Sequence, residues 1–122
     1  MNLSQQFMTF LLRWALNSLG LWVAARLIGS IEFDGSLMVI IGSGLILSLI
    51  NTLIKPLLVI LSLPFIVVTL GLFVIVINGF LVYITAALSP GLSMPFSAAI
   101  LAGMIIGLIN YALTHVIDAG RE

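Results

Sequence analysis

At 122 residues, with 62% apolar and only 7% charged side chains and a mean hydropathy of +1.37, the chain could not cover its own surface in water, where soluble domains carry about 25% charged residues. Its length suits a single membrane domain spanning 1–122 with no soluble appendage, and a formal net charge of zero leaves no footprint for nucleic acid. The absence of cysteine excludes disulfides, thiol catalysis and thiolate metal sites.

The chain opens on Met1-Asn2-Leu3-Ser4-Gln5-Gln6, which lacks the basic region and the small-residue cleavage site of a secretory signal, so the first apolar run is expected to be retained. A membrane span needs about 20 mostly apolar residues. The first runs from Phe7 to Ile28. Arg13 and Arg26 lie inside it, about 20 Å apart on a helix, each close enough to an end to reach the headgroups. A turn follows at Gly29-Ser-Ile-Glu-Phe-Asp-Gly-Ser36. The second span runs from Leu37 to Ile54 and is closed by Lys55-Pro56.

From Pro56 to Leu88 the chain carries no charge and is too long for one straight span. Pro64 interrupts it, and the third span is expected at about Ile66 to Leu88. Three paths compete for Leu57–Phe65: a kinked extension of span two, a segment lying in the interface, and a re-entrant dip. The extension is favoured because a helix satisfies its own backbone in lipid and proline tolerates a kink. After a turn at Ser89-Pro-Gly-Leu-Ser-Met-Pro95, the fourth span runs from Phe96 to about Val116.

The two halves repeat. A shift of 61 positions lays Asn17 on Asn78, Trp22 on Tyr83, Ala25 on Ala86 and Leu27 on Leu88. A shift of 59 lays Gly44 on Gly103, Ser48 on Gly107 and Leu49-Ile50-Asn51 on Leu108-Ile109-Asn110. The expected fold is all-α: four transmembrane helices built as two parallel two-helix repeats, at about 7–55 and 66–116, joined by a Pro-flanked connector at 56–65. Arg13, Lys55 and Arg121 fall on the side of both termini, with Arg26 alone opposite beside Glu32 and Asp34. The positive-inside rule then places both termini in the cytoplasm. Two spans per unit make both units cross in the same sense, so the pseudo-twofold axis lies along the membrane normal.

Polar chemistry inside the spans is confined to a few positions. A buried amide in hydrocarbon is costly unless hydrogen-bonded. Asn17 lies four residues inside Arg13, and Asn51 four inside Lys55, so the two amides sit at similar depth on neighbouring helices. A direct Asn17–Asn51 hydrogen bond is expected, with Asn78–Asn110 as its repeat. Alternatively, all four amides converge on a central axis and line a polar path. Gly103 and Gly107 form a GxxxG, with Gly44 and Ser48 as the aligned pair. Small residues let helices approach closely in lipid, here within the monomer or between copies. His115 reads as an interfacial side chain, and Arg26 as a surface partner of Glu32 or Asp34. Gly42-Ser43-Gly44 faintly resembles a hydrolase turn, yet the serine lies within a span and no His–acid pair is placed to activate it. No catalytic residue, cofactor site or metal site is expected.

The string Asn51-Thr-Leu-Ile-Lys-Pro-Leu-Leu58, then Leu63-Pro64, Thr69-Leu-Gly-Leu-Phe73, Val76-Ile-Asn78 and Pro90-Gly91, resembles the small four-span bacterial membrane proteins of the YvlD type, grouped as phage holin superfamily IV. The resemblance runs from about Phe10 to Leu113. It implies a bacterial inner-membrane location, four spans and a holin-like role, and it carries no catalytic residue. Three functions compete: a self-associating holin-like protein that perturbs the bilayer, an accessory subunit of a larger membrane complex or of envelope homeostasis, and a small channel or carrier. The lipid bilayer is the expected partner, with a homo-oligomer or a larger membrane complex beyond it.

Overall fold

A computed structural model of the chain describes the backbone of residues 2–121 and the side chains of residues 2–116. The side chain of Arg121, counted in the charge argument above, lies outside the described residues, as does Met1. Helix α1 spans Leu3–Leu27 and opens on a capping box, in which the Asn2 side chain accepts from the Gln5 N–H and the Gln5 side chain accepts from the Asn2 N–H. Helix α2 spans Leu37–Leu53, α3 Lys55–Leu61, α4 Leu63–Val68, α5 Phe73–Leu88 and α6 Phe96–Arg121. Long helices α1 and α6 each suffice to cross a membrane by length and apolarity. Helix α2, with 17 residues, and α5, with 16, reach only about 25 Å each at 1.5 Å per residue.

The connector is broken where proline dictates. Pro56 cannot donate to the helix ladder and its ring crowds the carbonyl one turn back, so α2 stops at Leu53 and α3 departs at a 43° bend. Pro64 repeats the effect at the start of α4. Residues 55–68 form two short helices without a buried residue, and α3 follows α2 directly across the bend. Helix α4 then ends in a Schellman turn, in which Gly71 N donates to Ile66 O at 2.8 Å and Leu70 N to Val67 O at 3.2 Å. Leu70 takes the left-handed position at φ 57° and Gly71 follows at φ 90°. The Thr69 hydroxyl accepts from Phe73 N at 3.0 Å and so starts the next helix. Helix α5 therefore begins at Phe73, later than the Ile66 expected from the repeat, because Leu70 and Gly71 leave the helical region.

Helices α1, α2, α5 and α6 form the bundle, with α1 packed on α2 and α6, and α5 on α6 and α2. Both helical hairpins turn at the same end, where the all-α expectation misses a small ribbon. Glu32–Phe33 (β1) pairs antiparallel with Leu92–Ser93 (β2), Glu32 opposite Ser93 and Phe33 opposite Leu92. The core below the ribbon is layered from Ile31, Leu92 and Met94 through Ala24, Ala98 and Ala102 to Leu21, Leu47, Val82 and Ile106.

Close approach is concentrated at glycine. A Cβ on Gly44 would run into the Ser18 side chain, and one on Gly103 would lie 3.2 Å from the backbone of Asn78 and Gly79. Ser18 and Gly79 are equivalent under the 61-residue shift, so both hairpins cross at equivalent small residues.

Candidate polar cavity

Below the layer of Leu47, Val82 and Ile106, the bundle opens into a half-open cavity of about 200 Å³ at the end opposite the ribbon. Arg13 and Asn17 reach it from α1, Asn51 from α2, Lys55 from the first turn of α3, Asn78 from α5, and Asn110 with Gly103 and Gly107 from α6. All four amides thus line one space, together with two cationic side chains. A polar cavity needs only about 10–15 Å³ of such volume per water, so this one has room for several.

One hydrogen-bonded chain crosses three helices. Asn110 Nδ2 donates to Asn17 Oδ1 at 3.1 Å and to its own-helix Ile106 O at 2.9 Å. Asn17 Nδ2 donates to Ser48 Oγ at 2.9 Å, and Ser48 Oγ donates to Gly44 O at 2.8 Å. Asn17 is 3% exposed, and every link of the chain around it is satisfied. The expected pairing within each hairpin is therefore corrected. Asn17 bonds Asn110 of the other hairpin, and among the described residues neither an Asn17–Asn51 nor an Asn78–Asn110 hydrogen bond forms. The reason is a difference between the two hairpins. Asn17 finds a hydroxyl on Ser48, but the position equivalent to Ser48 is Gly107, which offers Asn78 nothing. Asn51 and Asn78 stay half-buried and face the cavity.

The same substitution changes the role of the small residues. Gly44 and Gly103 sit at helix crossings, whereas Ser48 is a hydrogen-bonding partner. A Cβ on Gly107 would meet nothing within 4 Å, so this glycine lines the cavity rather than a helix contact. Arg13 and Lys55, read from sequence as anchors at the headgroups, share the cavity, and their like charges repel across it. The hydroxyl of Ser48 and the meeting of both bases were missed. The sequence held a partial signal, since Ser48 and Lys55 lie at helical spacings from Asn51.

Several other polar groups are occupied locally. Thr85 Oγ1 donates to Leu81 O at 2.9 Å and Ser89 Oγ to Thr85 O at 2.6 Å. The Arg26 guanidinium lies over the Trp22 ring at 5.3 Å, taking a cation–π partner where an acidic one was expected. Asp34 instead accepts from Ser36 N at 2.8 Å. Exposed His115 packs its ring 4.2 Å from Tyr111. Ser43 is buried on α2 without a hydrogen-bond partner. Among the described residues no cluster of His, Cys, Asp or Glu could hold a metal.

Apolar helices with exposed apolar faces, packed around a polar cavity, define a small helical membrane protein. The chain belongs to the bacterial family described as mycobacterial 4 TMS phage holin, superfamily IV, whose family model matches residues 8–112. The family is not an enzyme family. No match was found among curated proteins or among solved structures.

Proposed function

We propose that this protein is a holin-like inner-membrane protein that works by associating with itself in the bilayer, as four spans in two parallel repeats with both termini cytoplasmic. Family membership over residues 8–112 is the observation that carries it. Register within the ribbon supports the repeat. Under a shift of about 60 residues, Glu32 and Phe33 correspond to Leu92 and Ser93, and each pairs with the equivalent of its neighbour. A twofold axis through a ribbon produces that pattern. The exposed apolar faces of α1 and α6, including Leu19, Leu101 and Leu108, offer surface to lipid or to a second copy.

A channel or carrier gains one observation, the convergence of four amides on one cavity. The packed layer of Leu21, Leu47, Val82 and Ile106 lies between that cavity and the ribbon end, which argues against a polar path through a single bundle. Self-association is therefore preferred. Inducing the protein in cells that contain an endolysin should arrest growth and release cytosol, and crosslinking in native membranes should trap multimers. Monomers alone, with no loss of viability, would favour an accessory subunit. Ion or solute flux through liposomes holding dispersed monomers would favour the channel.

A further inference from the structure

We propose that the cavity is a binding site for a phosphate oxyanion, held by Arg13 and Lys55 and oriented by the amides of Asn51 and Asn78. Its sign follows from the lining. Two cations face one half-open space, and among the described residues no carboxylate joins them. Exposed Arg13 and half-buried Lys55 line one space with like charges, and an anion between them converts that repulsion into attraction. Arg offers a rigid donor fork and Lys a compact charge, a combination suited to tetrahedral oxyanions.

The amides supply the second half of the case. Asn17 and Asn110 spend their hydrogen bonds on each other, Ser48 and the backbone of Ile106. Asn51 and Asn78, from two other helices, line the same cavity and make no side-chain hydrogen bond among the described residues. Each has two N–H donors available. Gly107 adds no side chain to the wall, and a Cβ there would meet nothing within 4 Å. The glycine at 107, where the other hairpin has Ser48, thus leaves Asn78 without a hydroxyl partner and adds no bulk beside it. A lipid headgroup and a free phosphate present the same chemistry, so both belong to the proposal.

The test uses the full chain, dispersed in maltoside detergent or in phosphatidylcholine nanodiscs, so it is independent of self-association. Inorganic phosphate is titrated calorimetrically, with chloride as the reference. Retention of phosphatidylglycerol over phosphatidylcholine is read by native mass spectrometry. Binding in either arm supports the site, and the arm that responds names the source. Arg13→Gln and Lys55→Gln should each weaken binding about tenfold or more, as expected for a lost charged hydrogen bond. Arg26→Gln, at the opposite end, should leave it unchanged. Gly107→Leu keeps both charges and fills the cavity, so it should abolish binding even if the charge variants fail to fold. No binding of phosphate or phosphatidylglycerol by the wild type overturns the proposal, as does binding that survives Gly107→Leu.

Discussion

Asn17 is the most buried of the four amides and hydrogen-bonds to two other helices, so its replacement should cost most. Asn17→Leu strands Ser48 as an acceptor and removes a partner of Asn110, at about 1–3 kcal/mol. Asn51→Leu breaks no described hydrogen bond and should cost well under 1 kcal/mol, near the low end for polar contacts in membranes. Unfolding in mixed micelles should therefore rank Asn17 above Asn110 and Asn110 above Asn51. A double-mutant cycle should show coupling for Asn17 with Asn110 and additivity for Asn17 with Asn51. Coupling of Asn17 to Asn51 alone would restore the within-hairpin pairing that sequence spacing suggested.

At the scale of elements, the small residues of α6 divide into two roles. Gly103→Leu must push against the backbone of α5 and should destabilise by about 1–3 kcal/mol. Gly107→Ala adds a methyl to open space and relieves a flexible helix position, so it should be neutral or stabilise by up to about 1 kcal/mol. Equal losses from the two changes would mean that both glycines pack. The connector carries its own test in the turn between α4 and α5. Leu70 holds a left-handed conformation at φ 57°, which costs a non-glycine residue about 1–2 kcal/mol. Leu70→Gly should raise stability by several tenths of a kcal/mol, and Thr69→Val, which removes the oxygen accepting from Phe73 N, should lower it by about 1 kcal/mol. Thermal unfolding of the two variants should move in opposite directions.

Across the whole molecule, the ribbon ties the two hairpins together and makes their relation testable. The chain has no cysteine, so an introduced pair reacts alone. Glu32 and Ser93 are direct partners across β1 and β2. Antiparallel partners have Cα atoms about 4.5–5.5 Å apart, within disulfide reach. Glu32→Cys with Ser93→Cys should crosslink on mild oxidation, and single cysteines at Asp34 and Ser93 should both label from the periplasmic side. Labelling of one position without the other would break the arrangement in which both hairpins turn on one face.

Much of this was legible in the chain before any coordinates. Apolar runs bounded by Lys55-Pro56, Gly29–Ser36 and Ser89–Pro95 mark where helices stop, because proline and glycine act locally on the backbone. Family membership was carried by short motifs such as Asn51-Thr-Leu-Ile-Lys-Pro56. Tertiary structure alone decided which amide meets which, that α5 starts at Phe73, and that Arg13 and Lys55 share a cavity. In a soluble helix the boundary between polar and apolar faces reports its rotation. Here lipid and neighbouring helices are both apolar, so periodicity leaves rotation undefined, and a hydrogen bond between amides depends on rotation to within a fraction of a turn. Contact between side chains from residues as distant as Asn17 and Asn110 is set by how four helices cross, a property no local stretch of the chain contains.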